Sequence, residues 1–205
     1  MTPDPYPAGP ALDRCCHLST TNRNETRKLV LFLNMIYEEN HPQFFTATIY
    51  EWNHLLKDDA VKDIIIDSLR FLVKANRVNV YGFVIMSNHL HLIWRIRSPH
   101  LLKDVQRDFL KYTAQQIMFY LKQHDLVLLD TCKVNHYDRT YMIWKTDSLS
   151  VDLYSEKVFT QKMDYIHNNP VRAGLCKVPE EYKYSSAEHF LQNKSVWDFI
   201  AAYDE

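Results

Sequence analysis

The sequence predicts an α+β domain, an antiparallel sheet with helices packed on one face, and three observations lead to it. Residues 80–86 and 89–96 are strand-like apolar runs separated only by Ser87-Asn88, so they read as a hairpin. Residues 57–74 and 101–123 carry apolar side chains at helical spacing, one stretch before the hairpin and one after it. An aromatic and β-branched run over 44–50 precedes the first of those helices.

Each element follows from its own residues. Residues 1–26 read as an arm, with Pro3, Pro5, Pro7 and Pro10 ahead of a polar Ser-Thr-Thr-Asn-Arg-Asn run. A short helix is predicted over 28–40 from Leu29, Leu31, Phe32, Met35 and Ile36, ended by Asn40-His41-Pro42. The helix over 57–74 rests on Val61, Ile64, Ile65, Leu69 and Leu72. That over 101–123 rests on Val105, Phe109, Tyr112, Ile117 and Tyr120, after Pro99 has closed the hairpin. Tyr141, Ile143 and Trp144 form a candidate fourth strand, and a third helix runs over 155–168, stopping before Pro170. The order of the first six elements is a ferredoxin-like βαββαβ plan, followed by one more helix and a C-terminal tail. The chain thus divides into an N-terminal arm and short helix (1–40), a main domain (41–170) and a tail packing on it (171–205).

Composition narrows the function only a little. Lys and Arg number 24 against 25 Asp and Glu, so the chain is no bulk polycation, and any polyanion would have to meet a local basic face. With only 3 glycines, a glycine-rich phosphate loop is excluded. Cys15, Cys16, Cys132 and Cys176 match neither a zinc pattern nor a disulfide framework. The first residues lack the order of a signal peptide, and no apolar run is long enough to span a membrane. The expected setting is the cytoplasm, with no membrane partner.

Two segments carry chemistry. In Asn88-His89-Leu90-His91-Leu92 the strand period puts both imidazoles on one side and both leucines on the other. Two imidazoles on one strand make half of a divalent metal site, although a pair of surface histidines on a half-exposed hairpin has the same spacing. In the segment 162–170, Tyr165 and Asn169 are four apart and share a helix face. Spacing alone leaves Tyr165 equally readable as an aromatic anchor, and Asn168-Asn169-Pro170 as a helix stop.

The wording and order of these segments resemble the HUH-type single-tyrosine transposases, and within them the REP-associated tyrosine transposases. Residues 81–86 (Tyr-Gly-Phe-Val-Ile-Met) and 88–92 are similar to that family's paired-histidine strand, with Ser87 where most members have proline. Residues 162–175, Lys-Met-Asp-Tyr-Ile-His-Asn-Asn-Pro-Val-Arg-Ala-Gly-Leu, resemble its nucleophile helix, and 179–187 its tail. Residues 109–113 and Trp144 match in kind and order, so the resemblance spans roughly 43–190. It implies that 41–170 is a catalytic domain in which His89 and His91 bind a divalent metal, Mg2+ or Mn2+. It further implies Tyr165 as the nucleophile and Asn169 as a third, weaker oxygen ligand. The implied reaction cuts single-stranded DNA, at hairpin-forming repeats, through a 5′-phosphotyrosine, and rejoins it without a nucleotide cofactor. A homodimer is implied as the working unit.

A tyrosine hydroxyl titrates at about 10 and is a poor nucleophile at neutral pH without help, which a divalent ion at the phosphate supplies. Candidate DNA contacts are Lys103, Arg107 and Lys111, four residues apart along one helix stripe, with Asp104 and Asp108 near it. Arg95 and Arg97 continue the histidine side of the strand, and Arg172 follows the nucleophile helix. A solvated basic face explains the helix stripe equally well. Two other functions stay open on the residues: a nucleic-acid-binding module without strand transfer, and a metal-dependent hydrolytic nuclease using His89, His91 and Asp164. On an ideal helix Asp164 points about 100° away from Tyr165, which weighs against the second.

Overall fold

The computed structural model describes residues 41–192 and 196–203; the expected arm and helix over 1–40 lie outside the described residues. The first strand is β1 (Gln43–Thr48), and two short 3-10 turns lead from it to α1 (Asp59–Lys74). Asp58 begins that helix by accepting a hydrogen bond from the Ala60 N–H. The hairpin follows as β2 (Val78–Ile85) and β3 (His89–Ile96), then α2 (Leu102–His124) and the short α3 (Leu126–Asp130). The remaining elements are β4 (Leu149–Asp152), α4 (Glu156–His167), α5 (Asn169–Arg172) and α6 (Ala187–Leu191).

The four strands form one antiparallel sheet in the order β2-β3-β1-β4, the ferredoxin-like arrangement. Alternation along β3 divides the molecule into layers. Leu90, Leu92, Trp94 and Ile96 pack with Leu69 and Leu72 of α1 and Val105, Phe109 and Ile117 of α2. Ile93 faces the opposite way, into a smaller cluster with Phe44, Val84, and Phe159 and Ile166 of α4. The first two long helices therefore cover one face, and α4 lies on the other.

The fourth strand is not where the sequence predicts it. Trp144 makes only an isolated bridge to Ile49, and its indole N–H donates to the Thr113 hydroxyl at 3.0 Å. The strand itself, β4, comes later and pairs with β1 from Thr46↔Leu149 to Gln43↔Asp152. It is an edge strand with Leu149 and Val151 turned to solvent, so it lacks the apolar signal that the buried Ile143-Trp144 pair displays. The third helix ends before Pro170, as expected, and a further short helix follows it. After a turn at Asn168, Pro170 sits in the first turn of α5, where its missing N–H costs nothing.

The chain after α5 closes the other edge of the sheet. Ile85 donates its N–H to the Tyr184 carbonyl, and Ser186 donates to the Phe83 carbonyl, both at 2.9 Å. The Ser186 hydroxyl accepts from the Phe83 N–H and shares a hydrogen bond with His167 Nε2, each at 2.9 Å. Ser185 and Ser186 thus fasten the tail to β2 and to the end of α4.

Burial pushes the His167 imidazole from its ordinary value of 6.5 down to about 4. Its folded value lies below its unfolded one, so the unfolded chain takes up the proton first. Stability is then complete above about pH 6.5 and falls as pH drops toward 4. The expected loss from this group between pH 7 and pH 5 is about 2 kcal/mol. Urea unfolding at the two pH values checks it: His167→Gln, which keeps a hydrogen-bonding group but no titrating one, flattens that part of the dependence.

Candidate active site

The floor of the site is the part of the sheet under α4. In register, His91 lies opposite Thr46 and His89 opposite Thr48, so strand geometry brings both imidazoles to the α4 face. Their ring centroids are 4.9 Å apart. Thr46 Oγ1 and His91 Nδ1 share a 2.7 Å hydrogen bond, and Phe44 stacks on His91 with 5.2 Å between ring centroids. His89 Nδ1–H donates to Asn88 Oδ1 at 2.7 Å. Because a carbonyl oxygen only accepts, this bond places the His89 proton on Nδ1 and the ring lone pair on Nε2.

Electrostatics keeps the pair in the same state. His91 is only 6 % exposed. Burial lowers it to about 3, and the Lys162 ammonium, with His89 whenever that ring is protonated, pushes the same way. Burial also lowers His89, against a hydrogen bond to Asn169 that pulls the other way. Both imidazoles are therefore neutral at neutral pH, the form in which imidazole binds a metal.

Helix α4 supplies the roof. Ser155 caps it by accepting from the Val158 N–H, and Phe159 and Ile166 anchor its inner face. Gly82 in β2 lets it come close. A Cβ there would lie 2.5 Å from Met163 Sδ and 3.2 Å from Ile166 Cδ1, so the absent side chain is the space α4 occupies. The Tyr165 ring stands 5.4 Å from His91 and 6.0 Å from Phe44, centroid to centroid, and Tyr165 is 37 % exposed. Two cations flank it, Arg172 at 5.1 Å and Lys162 Nζ at 5.7 Å from the ring centre. Lys162 also lies 4.7 Å over Phe44.

A substitution at Gly82 tests whether α4 is held at this distance by packing. Gly82→Ala is expected to cost little, since the Met163 thioether can rotate away. Gly82→Val adds branches that also meet Ile166, and overpacking of that kind costs about 1–3 kcal/mol. Urea unfolding of the two variants, with Tyr165 exposure followed by its ultraviolet absorbance, is the check. A lifted α4 exposes the ring more in the valine variant.

Of the residues singled out in the sequence, His89, His91, Tyr165 and Asn169 meet here, with Arg172 beside them. Asp164 does not join them: among the described residues no group of three or more His, Cys, Asp or Glu side chains is placed to hold a metal. A metal here would be bound by two imidazoles and the Asn169 amide oxygen. The donor set fits, since both Nδ1 atoms are engaged by oxygen partners and the third donor already touches His89. Lys103, Arg107 and Lys111 lie on α2, the helix layer across the sheet, where Asp104 and Asp108 hold Arg107 at 2.7 and 2.9 Å. Arg95 lies over the Tyr81 ring, and Arg97 donates to Asn79 Oδ1.

The sequence pattern gives no role to Thr46, Gly82 or Lys162. Lys162 had a signal, since it precedes Tyr165 by three residues on one helix. The others are brought in by strand register, which no local pattern displays.

In comparisons with known proteins, the fold is similar to the solved structure of a REP-associated tyrosine transposase bound to a REP hairpin. The TM-score is 0.56 and the identity 15 %, over 81 % of this chain and 87 % of that one. A candidate transposase from Deinococcus radiodurans R1 is also similar, with a TM-score of 0.41 and 18 % identity over 62 % of this chain and 88 % of that one. No family model matches the chain, and no curated protein does. Among the described residues no helix is long and apolar enough to cross a membrane.

Proposed function

We propose that this chain cuts and rejoins single-stranded DNA, using Tyr165 as the nucleophile beside a divalent cation held by His89, His91 and Asn169. The observation that carries this reading is convergence. Tyr165 on α4 stands in ring contact with His91, and Asn169 just beyond that helix interacts with His89, both histidines lying on a strand many residues earlier. The likeness of the fold to a tyrosine transposase bound to a hairpin, and the resemblance of the three sequence segments to that family, support the same reaction class.

The chemistry follows from what the residues offer. The Tyr165 oxygen attacks the phosphorus, the bond from phosphorus to the 3′ oxygen breaks, and the freed 3′ oxygen takes up a proton as the tyrosine gives one up. A phosphodiester is exchanged for a phosphodiester, so the reverse step can join the held 5′ end to another 3′-hydroxyl without a nucleotide cofactor. A bound divalent cation would polarise the phosphate and offset the charge that grows on its oxygens. Mn2+ suits two imidazoles better than Mg2+, which favours oxygen donors. Lys162 and Arg172 add positive charge at the phosphate from the protein side and hold it against the tyrosine. Part-exposure of Tyr165 leaves it open to a strand from solvent, and only an unpaired strand brings a single phosphodiester so close. In this reading Arg95 and Arg97 guide the strand along β3, the helix stripe of Lys103, Arg107 and Lys111 binds DNA away from the site, and the unit is a homodimer.

Incubating the purified protein with labelled hairpin DNA bearing an unpaired flank, in Mn2+, tests the proposal. A protein–DNA adduct that survives denaturant is expected, and none forms when the cation is chelated beforehand. Cleavage without an adduct would point to hydrolysis and overturn the tyrosine mechanism. Binding with neither product would leave a nucleic-acid-binding module.

A further inference from the structure

Beyond the histidines, ring contacts continue to a residue that the reaction above does not use. The Trp52 indole lies 6.3 Å from His89, centroid to centroid, so contacts run from Tyr165 through His91 and His89 to Trp52. Trp52 is 54 % exposed, whereas Trp94 and Trp144 are buried and Trp197 is partly buried. Lys145 Nζ stands 5.2 Å from the centre of its ring.

The backbone keeps the indole there under strain. Glu51 and Trp52 have φ of 51° and 60°, the left-handed region that bulky residues avoid. The turn is tied at both ends. The Trp52 N–H donates to the Ile49 carbonyl at 3.0 Å, and Asn88 Nδ2 donates to the Trp52 carbonyl at 3.4 Å. The same Asn88 side chain accepts from His89, so one amide fixes both the indole's turn and the imidazole. Lys145 is fixed in turn by its N–H, which donates to the Thr48 carbonyl at 2.8 Å.

From this geometry we infer that Trp52 and Lys145 form a subsite for one unpaired nucleobase of the DNA strand next to the phosphodiester at Tyr165. This rests on the reading of the site as one that takes single-stranded DNA. An exposed indole offers a flat face on which any base stacks, and the adjacent ammonium suits the phosphate of the stacked nucleotide. The ligand class is therefore an unpaired nucleotide, recognised by its ring face rather than its edges. Such a subsite would draw the strand across the histidines instead of letting it cross the site at random angles.

The test compares two short single strands, an oligodeoxythymidylate and an oligomer with the same sugar-phosphate backbone but no bases. Wild-type protein is expected to bind the thymidylate about tenfold more tightly, with quenching of tryptophan fluorescence. Trp52→Ala is expected to bind the two strands alike, and Trp52→Tyr to restore most of the preference. Because Trp52 is exposed, both variants should melt as wild type does. A preference unchanged in Trp52→Ala, or no binding of either strand by wild type, overturns the subsite. A wild type that prefers bases yet forms no adduct on hairpin DNA sinks the cleavage reading and leaves the subsite standing.

Discussion

Tyr165→Phe is expected to abolish the covalent protein–DNA adduct and to lower strand cleavage by on the order of a thousandfold or more, with DNA binding unchanged. The substitution removes the proposed nucleophilic oxygen and leaves the ring. Its contacts with His91 and Phe44, and with the cations of Lys162 and Arg172, are made by that ring. Tyr165 is also partly open to solvent, so the fold loses about 0.5 kcal/mol or less. Gel separation of labelled adduct under denaturing conditions, with a filter-binding assay beside it, separates lost chemistry from lost binding. Loss of both together would indicate that the hydroxyl serves DNA binding.

His91→Ala is the second large effect, and it differs in kind. The residue is buried, stacked on Phe44 and bonded to Thr46, so its removal leaves a gap and an unpaired hydroxyl. A stability loss of about 1–3 kcal/mol is expected from that alone. Adduct formation should fall by about two to four orders of magnitude, because one of two imidazole donors is gone. A separate readout distinguishes a metal ligand from a packing residue. Wild-type protein should melt at a higher temperature with Mn2+ present, since an ion that binds only the folded chain stabilises it. The His91→Ala variant should show no such rise. Equal shifts in both proteins would make His91 a structural histidine.

Much of this arrangement is legible in the residues, for physical reasons that differ by element. The period of two along residues 89–96 separates His89 and His91 from Leu90 and Leu92, and the structure divides the two faces in the same way. The long helices announce themselves because each has one buried face.

The edge of the sheet is where pattern reading fails. Ile143 and Trp144 are buried by loop packing and look like a strand, whereas β4 exposes Leu149 and Val151 and does not. Contacts set by register or loop path are equally silent. Thr46 meets His91 across forty-five residues only because β1 and β3 pair in one register, and Trp52 reaches His89 only through two left-handed residues. The basic stripe on α2 shows the converse. Its spacing is regular, but spacing cannot reveal that α2 lies across the sheet from the histidines, with Arg107 engaged by two aspartates.

The most direct test of the central claim is to find which atom of the protein holds the DNA. Hairpin DNA labelled at its 3′ end is reacted in Mn2+, the adduct is digested with nuclease and protease, and the modified peptide is identified by mass spectrometry. The account predicts that the 3′ label stays with the protein and that nucleotide remains on Tyr165 through its phenolic oxygen. Label released as a free cleaved fragment with no protein-bound product, or nucleotide attached to any other residue, would contradict it.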